Sequence, residues 1–152
     1  MKNILFTLAL LISLGSFGQK SNDKELAEVT FAEIDDVPVY PGCRGSNLKK
    51  RKCLSEKIKN FVAKNFNTDI VNNLGLVGRQ RISVIFKIDK TGNVINVRAR
   101  APRLVLEQEA IRVINLLPKM KPGLQNGKPV IVPYSLPIIF AVQKKEEPNP
   151  QI

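Results

Sequence analysis

The chain has 152 residues, with 24 lysines and arginines against 13 aspartates and glutamates, a formal charge of +11 and no histidine. Its two cysteines fall short of the four Cys/His ligands of a structural zinc site, and no imidazole is present to serve a nucleophile as base. A balance this basic favours anionic partners, and the length suits one small domain with a single core.

The N-terminal stretch MKNILFTLALLISLGSFGQ has a positive start at Lys2, an apolar run from Ile4 to Leu14 and small residues at Ser16 and Gly18. That layout predicts a secretory signal peptide over residues 1–18 and a periplasmic destination. The apolar run is shorter than the roughly 20 residues a spanning helix needs, so an inner-membrane anchor is the lesser alternative. An exported protein meets envelope surfaces rather than nucleic acid. Residues 19–36 are polar and mixed in charge and read as a linker, residues 37–143 as the domain, and residues 144–152 as a charged tail.

Cys43 and Cys53 have nine residues between them. In an oxidising compartment an intramolecular disulfide is the simplest reading, with free thiols or an intermolecular bridge as alternatives. The loop also holds a basic cluster of Arg44, Lys49, Lys50, Arg51 and Lys52, with Lys57 beyond. It reads first as a solvated loop and helix start, and second as a patch for anionic cell-wall polymer.

Leu54, Ile58, Phe61, Val62 and Phe66 recur at helical spacing, predicting an amphipathic helix. RISVIFKID alternates, with Ile82, Val84, Phe86 and Ile88 on one side. Asp89 to Asn93 is hairpin-turn chemistry, and the return strand VINVRAR places Ile95, Val97 and Ala99 together. A second helix carries Leu106, Ala110, Val113, Ile114 and Leu117, stopped by Pro118. KPGLQNGKPV reads as a turn, and residues 130–142 as one long strand with apolar residues at every even position. Its Pro133 and Pro137 lie four apart, so both missing donors fall on the same side, which predicts an edge strand. The fold class is α+β, a small antiparallel sheet of a β-hairpin plus a long C-terminal strand packed with two helices. The expected core is Phe61, Phe86, Ile88, Val97, Val113, Leu117, Leu136, Ile138 and Phe140.

Val37-Pro38-Val39-Tyr40-Pro41-Gly42, RISVIFKIDKTGNV after Gly78, Leu106-Glu107-x-Glu109-Ala110 and LPKMKPGLQNGKPV together resemble the TonB C-terminal domain family, in particular its "PxYPGG" branch. The resemblance covers residues 37–142. It implies a non-enzymatic periplasmic domain that binds periplasmic segments of outer-membrane transporters, the partner adding a strand beside the last strand. Carried onto this chain, the partner-binding positions are Tyr40 and Pro41 at the entry, and Ile131, Pro133, Ser135, Pro137 and Ile139 on the last strand. Residues 19–37 contain no proline, Cys43 stands where the branch has its second glycine, and Met120 where the family often has tryptophan. A stiff spacer is thus missing, and the expectation is a partner-binding module. A membrane-anchored energy transducer and a basic structural protein on cell-wall polymer are the alternatives. Catalysis has no support: Glu107 and Glu109 point to different faces of a helix, and Asp35 and Asp36 lie in the solvated lead-in. No cofactor, metal or small-molecule substrate is expected.

Overall fold

A serine sets the start of the first helix. In the computed structural model, which describes residues 30–143, Ser46 caps α1 (Asn47–Asn65), its hydroxyl accepting from the Lys49 amide. The expected signal peptide, the first part of the lead-in and the tail at 144–152 lie outside the described residues. Leu54, Ile58 and Val62 form the inward stripe of α1, and Phe66 is buried just past its end. A short 3₁₀ helix (Asp69–Asn73) leads to β1 (Gly78–Ile88).

β1 alternates as its sequence requires. Ile82, Val84, Phe86 and Ile88 are buried, whereas Arg79, Arg81, Ser83 and Ile85 are exposed. In the turn that follows, the Asp89 carboxylate accepts from the amides of Thr91 and Asn93 at 2.8 and 2.9 Å. Gly92 sits at φ +88°, and a Cβ there would come within 1.8 Å of the Met120 carbonyl oxygen. The same close approach lets the Met120 amide donate to the Gly92 carbonyl at 2.9 Å.

The return strand, β2 (Val94–Arg100), departs from the simple alternation expected of it. Asn96 takes φ +53°, and between the pairs Lys87↔Ile95 and Ile85↔Arg98 β2 has two residues where β1 has one. This is a β-bulge, and it reverses which parity faces inward. Val97 and Ala99 lie on the covered side as expected, but Ile95, opposite Lys87, belongs to the other face.

α2 (Leu104–Asn115) buries Leu106, Ala110, Val113 and Ile114, and Leu117 is buried ahead of the terminating Pro118. Next comes a hairpin, β3 (Gly123–Gln125) and β4 (Lys128–Val130), through Asn126-Gly127 at φ +50° and +70°. Two positive φ values suit a type I′ turn. The long strand expected over 130–142 is therefore divided. Val130 pairs with Gly123 in β4, and β5 (Val132–Val142) begins after Ile131, where the chain changes partner to β1.

The main sheet has the order β2-β1-β5, all antiparallel. β1 and β5 stay in unbroken register over eleven pairs, from Gly78↔Val142 to Ile88↔Val132. The stripes of α1 and α2 share one buried cluster with the even-numbered residues of β1 and with Tyr134 and Leu136, so both helices cover the same face. This is the expected α+β arrangement. Of the expected core, Phe86, Ile88, Val113, Leu117 and Leu136 are buried, while Phe61, Val97, Ile138 and Phe140 are half-buried. Packing also begins before residue 37. Ile34 joins Val37, Val130 and Val132 in a small second cluster, and Asp36 and Leu124 exchange amide–carbonyl bonds at 2.8 and 3.0 Å.

Candidate functional site

β5 has β1 on one side and, among the described residues, no strand on the other. Proline fits such a strand only where its nitrogen faces away from the ladder. The unbroken β1–β5 register therefore puts the nitrogens of Pro133 and Pro137 on the outer edge, together with the amides of Ser135, Ile139 and Ala141. Every carbonyl on that edge is retained. The odd-numbered side chains Ser135, Pro137 and Ile139 are exposed and Pro133 is half-buried, but Ile131 is only 6% exposed. It precedes β5, at the crossing from β4, where the chain turns inward, so it does not stand on the open face with Ser135, Pro137 and Ile139.

The lead-in closes over one end of this edge. Arg51 of α1 donates to the carbonyls of Phe31, Ala32 and Ile34, and its guanidinium lies 5.0 Å from the Phe31 ring centroid. Phe31 in turn meets the Tyr134 ring edge-on at 5.3 Å. The Tyr134 hydroxyl donates to Ser55 Oγ at 2.9 Å. Burial pushes the Tyr134 hydroxyl above the usual phenol value, and the Ser55 contact offsets part of this. A groove of about 830 Å³ runs between this corner and the sheet, lined by Phe31, Arg51, Ile85, Arg98, Pro133 and Ser135 among others.

The remaining predicted residues are dispersed. Tyr40 is half-buried against the main core, and its neighbour Val39 exchanges backbone bonds with Lys121 at 3.0 Å; Pro41 is exposed in the turn that follows. Burial raises the Tyr40 hydroxyl above its ordinary value. Cys43 and Cys53 form a disulfide, Cα atoms 5.8 Å apart, which ties the 41–46 loop to α1. The basic run does not share one surface, because consecutive helical residues point about 100° apart. Arg51 is committed to the lead-in, Lys50 lies 3.7 Å from Asp36, and Arg44, Lys49, Lys52 and Lys57 are exposed. Glu107 accepts from the Ala101 amide at 3.0 Å, while Glu109 accepts from the Asn67 amide and from Arg112, each at 2.7 Å.

One group of side chains was not singled out beforehand. The alternations Arg79-x-Arg81 and Arg98-x-Arg100 lie on separate strands in the sequence, and the β1–β2 register brings them to a single open sheet face. Each had been visible only as the polar half of a strand.

No helix among the described residues is long and apolar enough to cross a membrane. No curated protein matches the chain. Residues 74–142, from the end of the 3₁₀ helix through β5, match the family model for the Gram-negative bacterial TonB protein C-terminal.

Proposed function

We propose that this chain is a periplasmic partner-binding module that takes up an extended protein segment along the outer edge of β5. A TonB C-terminal domain implies a TonB-like role in energy transduction to outer-membrane transporters, within a non-catalytic family. The observation that carries the finer reading is the outer edge of β5, which has no strand beside it among the described residues, with its carbonyls and the amides of Ser135, Ile139 and Ala141 available to a strand. Ladder bonds would supply affinity, and the exposed Pro137 and Ile139 side chains would grip alternate residues of the partner. The partner is a periplasmic segment of an outer-membrane transporter or another envelope protein. The absence of proline in residues 19–37 supports a binding module over a self-sufficient transducer.

The test is site-specific photocrosslinking in whole cells. A probe at Ser135 or Ile139 is expected to join the periplasmic segment of an outer-membrane transporter, identified by its crosslinked peptide. A probe at Lys59 on the helix side is expected to give no such adduct. Identical adducts from both sides, or none from β5, would remove the β5 edge from the reading. Expression of the chain in a strain lacking its transducer is expected to leave transporter-dependent uptake unrestored.

A further inference from the structure

The face of the sheet turned away from the helices is built from one sign of charge. The β1–β2 and β1–β5 registers place Arg79, Arg81, Ser83, Ile85 and Lys87 of β1 beside Arg98 and Arg100 of β2, and beside Ser135, Pro137 and Ile139 of β5. None of the three strands contains an aspartate or glutamate. Arg79, Arg81 and Arg98 are exposed and have no carboxylate partner among the described residues. The side chain of Arg100 is 89% exposed, with only a 4.0 Å approach to Glu107. Between and beside these cations lie two exposed large apolar side chains, Ile85 at 51% and Ile139 at 46% exposure, with Ile95 half-buried opposite Lys87.

We propose that this open sheet face docks on a bilayer surface rich in anionic phospholipid headgroups. Four arginines spread over two neighbouring strands form an extended positive surface, not a pocket for one small anion. Successive same-face residues on a strand lie about 7 Å apart, so each guanidinium can meet a separate phosphate. Arginine matches phosphate with paired N–H donors and is less strongly hydrated than lysine, which suits a crowded interface. Ile85 and Ile139 add apolar contact at the headgroup boundary. Strands β1, β2 and β5 themselves contribute no carboxylate that would repel a phosphate. Docking by this face leaves the outer edge of β5 at the perimeter of the contact, so it does not depend on the strand-addition reading. It would hold the domain close to membrane-embedded partners.

The test is co-sedimentation of the purified domain-containing protein with vesicles of phosphatidylglycerol and phosphatidylcholine, against vesicles of phosphatidylcholine alone. Binding is expected to the anionic vesicles only and to weaken with salt. Each basic residue at an anionic surface contributes about fivefold in partitioning, so Arg81→Gln/Arg98→Gln is expected to lower it about 30-fold. Lys59→Gln/Lys64→Gln on α1 removes the same charge from the helix side and is expected to change partitioning less than threefold. Both double variants are checked for unchanged thermal unfolding. Equal losses in the two variants would show attraction by net charge alone and overturn the proposal. It is overturned equally by no vesicle binding in the wild type, or by arginine-dependent binding to polyglutamate without binding to vesicles.

Discussion

The two faces of the one sheet carry opposite kinds of side chain from the same strands. Along β1, Ile82, Val84, Phe86 and Ile88 enter the core at 0–2% exposure, while their immediate neighbours Arg81, Ser83 and Ile85 stand in solvent. The covered face determines whether the chain folds, and the open face can vary at small cost to stability. A period of two separates these tasks residue by residue. The contrast is sharpest between adjacent residues. Phe86→Ala leaves a cavity beneath Tyr134, whose ring centroid lies 5.3 Å away, and is expected to cost about 3–5 kcal/mol in urea unfolding. Ile85→Ala, one residue on, should cost less than about 1 kcal/mol, because half of that side chain is already in water. Similar losses at both positions would break the comparison.

The helical cover is pinned near both ends of α1, and the pins differ in strength. At the N-terminal end, the Cys43–Cys53 disulfide closes a short loop. In the chain-entropy model this contributes about 2.7 kcal/mol. Cys43→Ser/Cys53→Ser is therefore expected to remain folded, because the sheet core lies outside the loop, but to lose about that much in denaturant unfolding. At the C-terminal end, Arg112 donates to Glu109 and to the Asn65 carbonyl, while Glu109 accepts from the Asn67 amide. The Arg112 guanidinium, against some burial and with help from the Asn67 amide, holds the Glu109 carboxyl below the usual glutamate value. A carboxylate depressed in the folded state stabilises above its unfolded value and loses that contribution as pH falls through the folded value. Glu109→Gln should thus cost on the order of 1 kcal/mol at neutral pH, a deficit that disappears below the lowered carboxylate value. Unfolding curves of the two proteins across the acid range check this, and a deficit unchanged by acid would sink it.

How far the sequence reveals this molecule depends on whether each pattern is local. β1, α2 and the apolar side of β5 were legible because their periodicities continue without interruption. β2 was only partly so, since Asn96 in the bulge reverses the parity that alternation assumes. Residues 31–34 were hidden in a polar stretch. Their packing depends on Arg51, 17 to 20 residues away, and a charged residue in a basic run gives no sign that its donors serve three backbone carbonyls. Asn126-Gly127 lies in a segment that reads as a turn, so the short strands on either side of it were not legible, and Val130 of β4 merged by parity with β5. The guarded edge followed directly from the proline spacing. The arginine face did not, because it exists only once β1 and β2 are set in register.

The smallest expected effect on stability falls at the open edge of β5, where it joins the exposed face. Pro137→Ala restores one outward amide without touching the inner ladder between β5 and β1. The folded state should therefore keep its contacts. The unfolded chain gains freedom when proline is removed, which gives an expected loss of about 0.4–1 kcal/mol. For an added strand the sign is opposite. One more donor on the outer edge supplies a hydrogen bond worth about 0.5–1.5 kcal/mol net, so a partner segment should bind about two- to tenfold more tightly. The prolines would then act as guards that keep the edge from pairing indiscriminately, at some expense in affinity. Titration of wild type and variant with the transporter segment recovered by crosslinking, alongside their denaturant curves, separates the two effects. A variant that loses several kcal/mol would place the Pro137 nitrogen against β1 rather than outward. An unchanged affinity would move the partner away from this part of the edge.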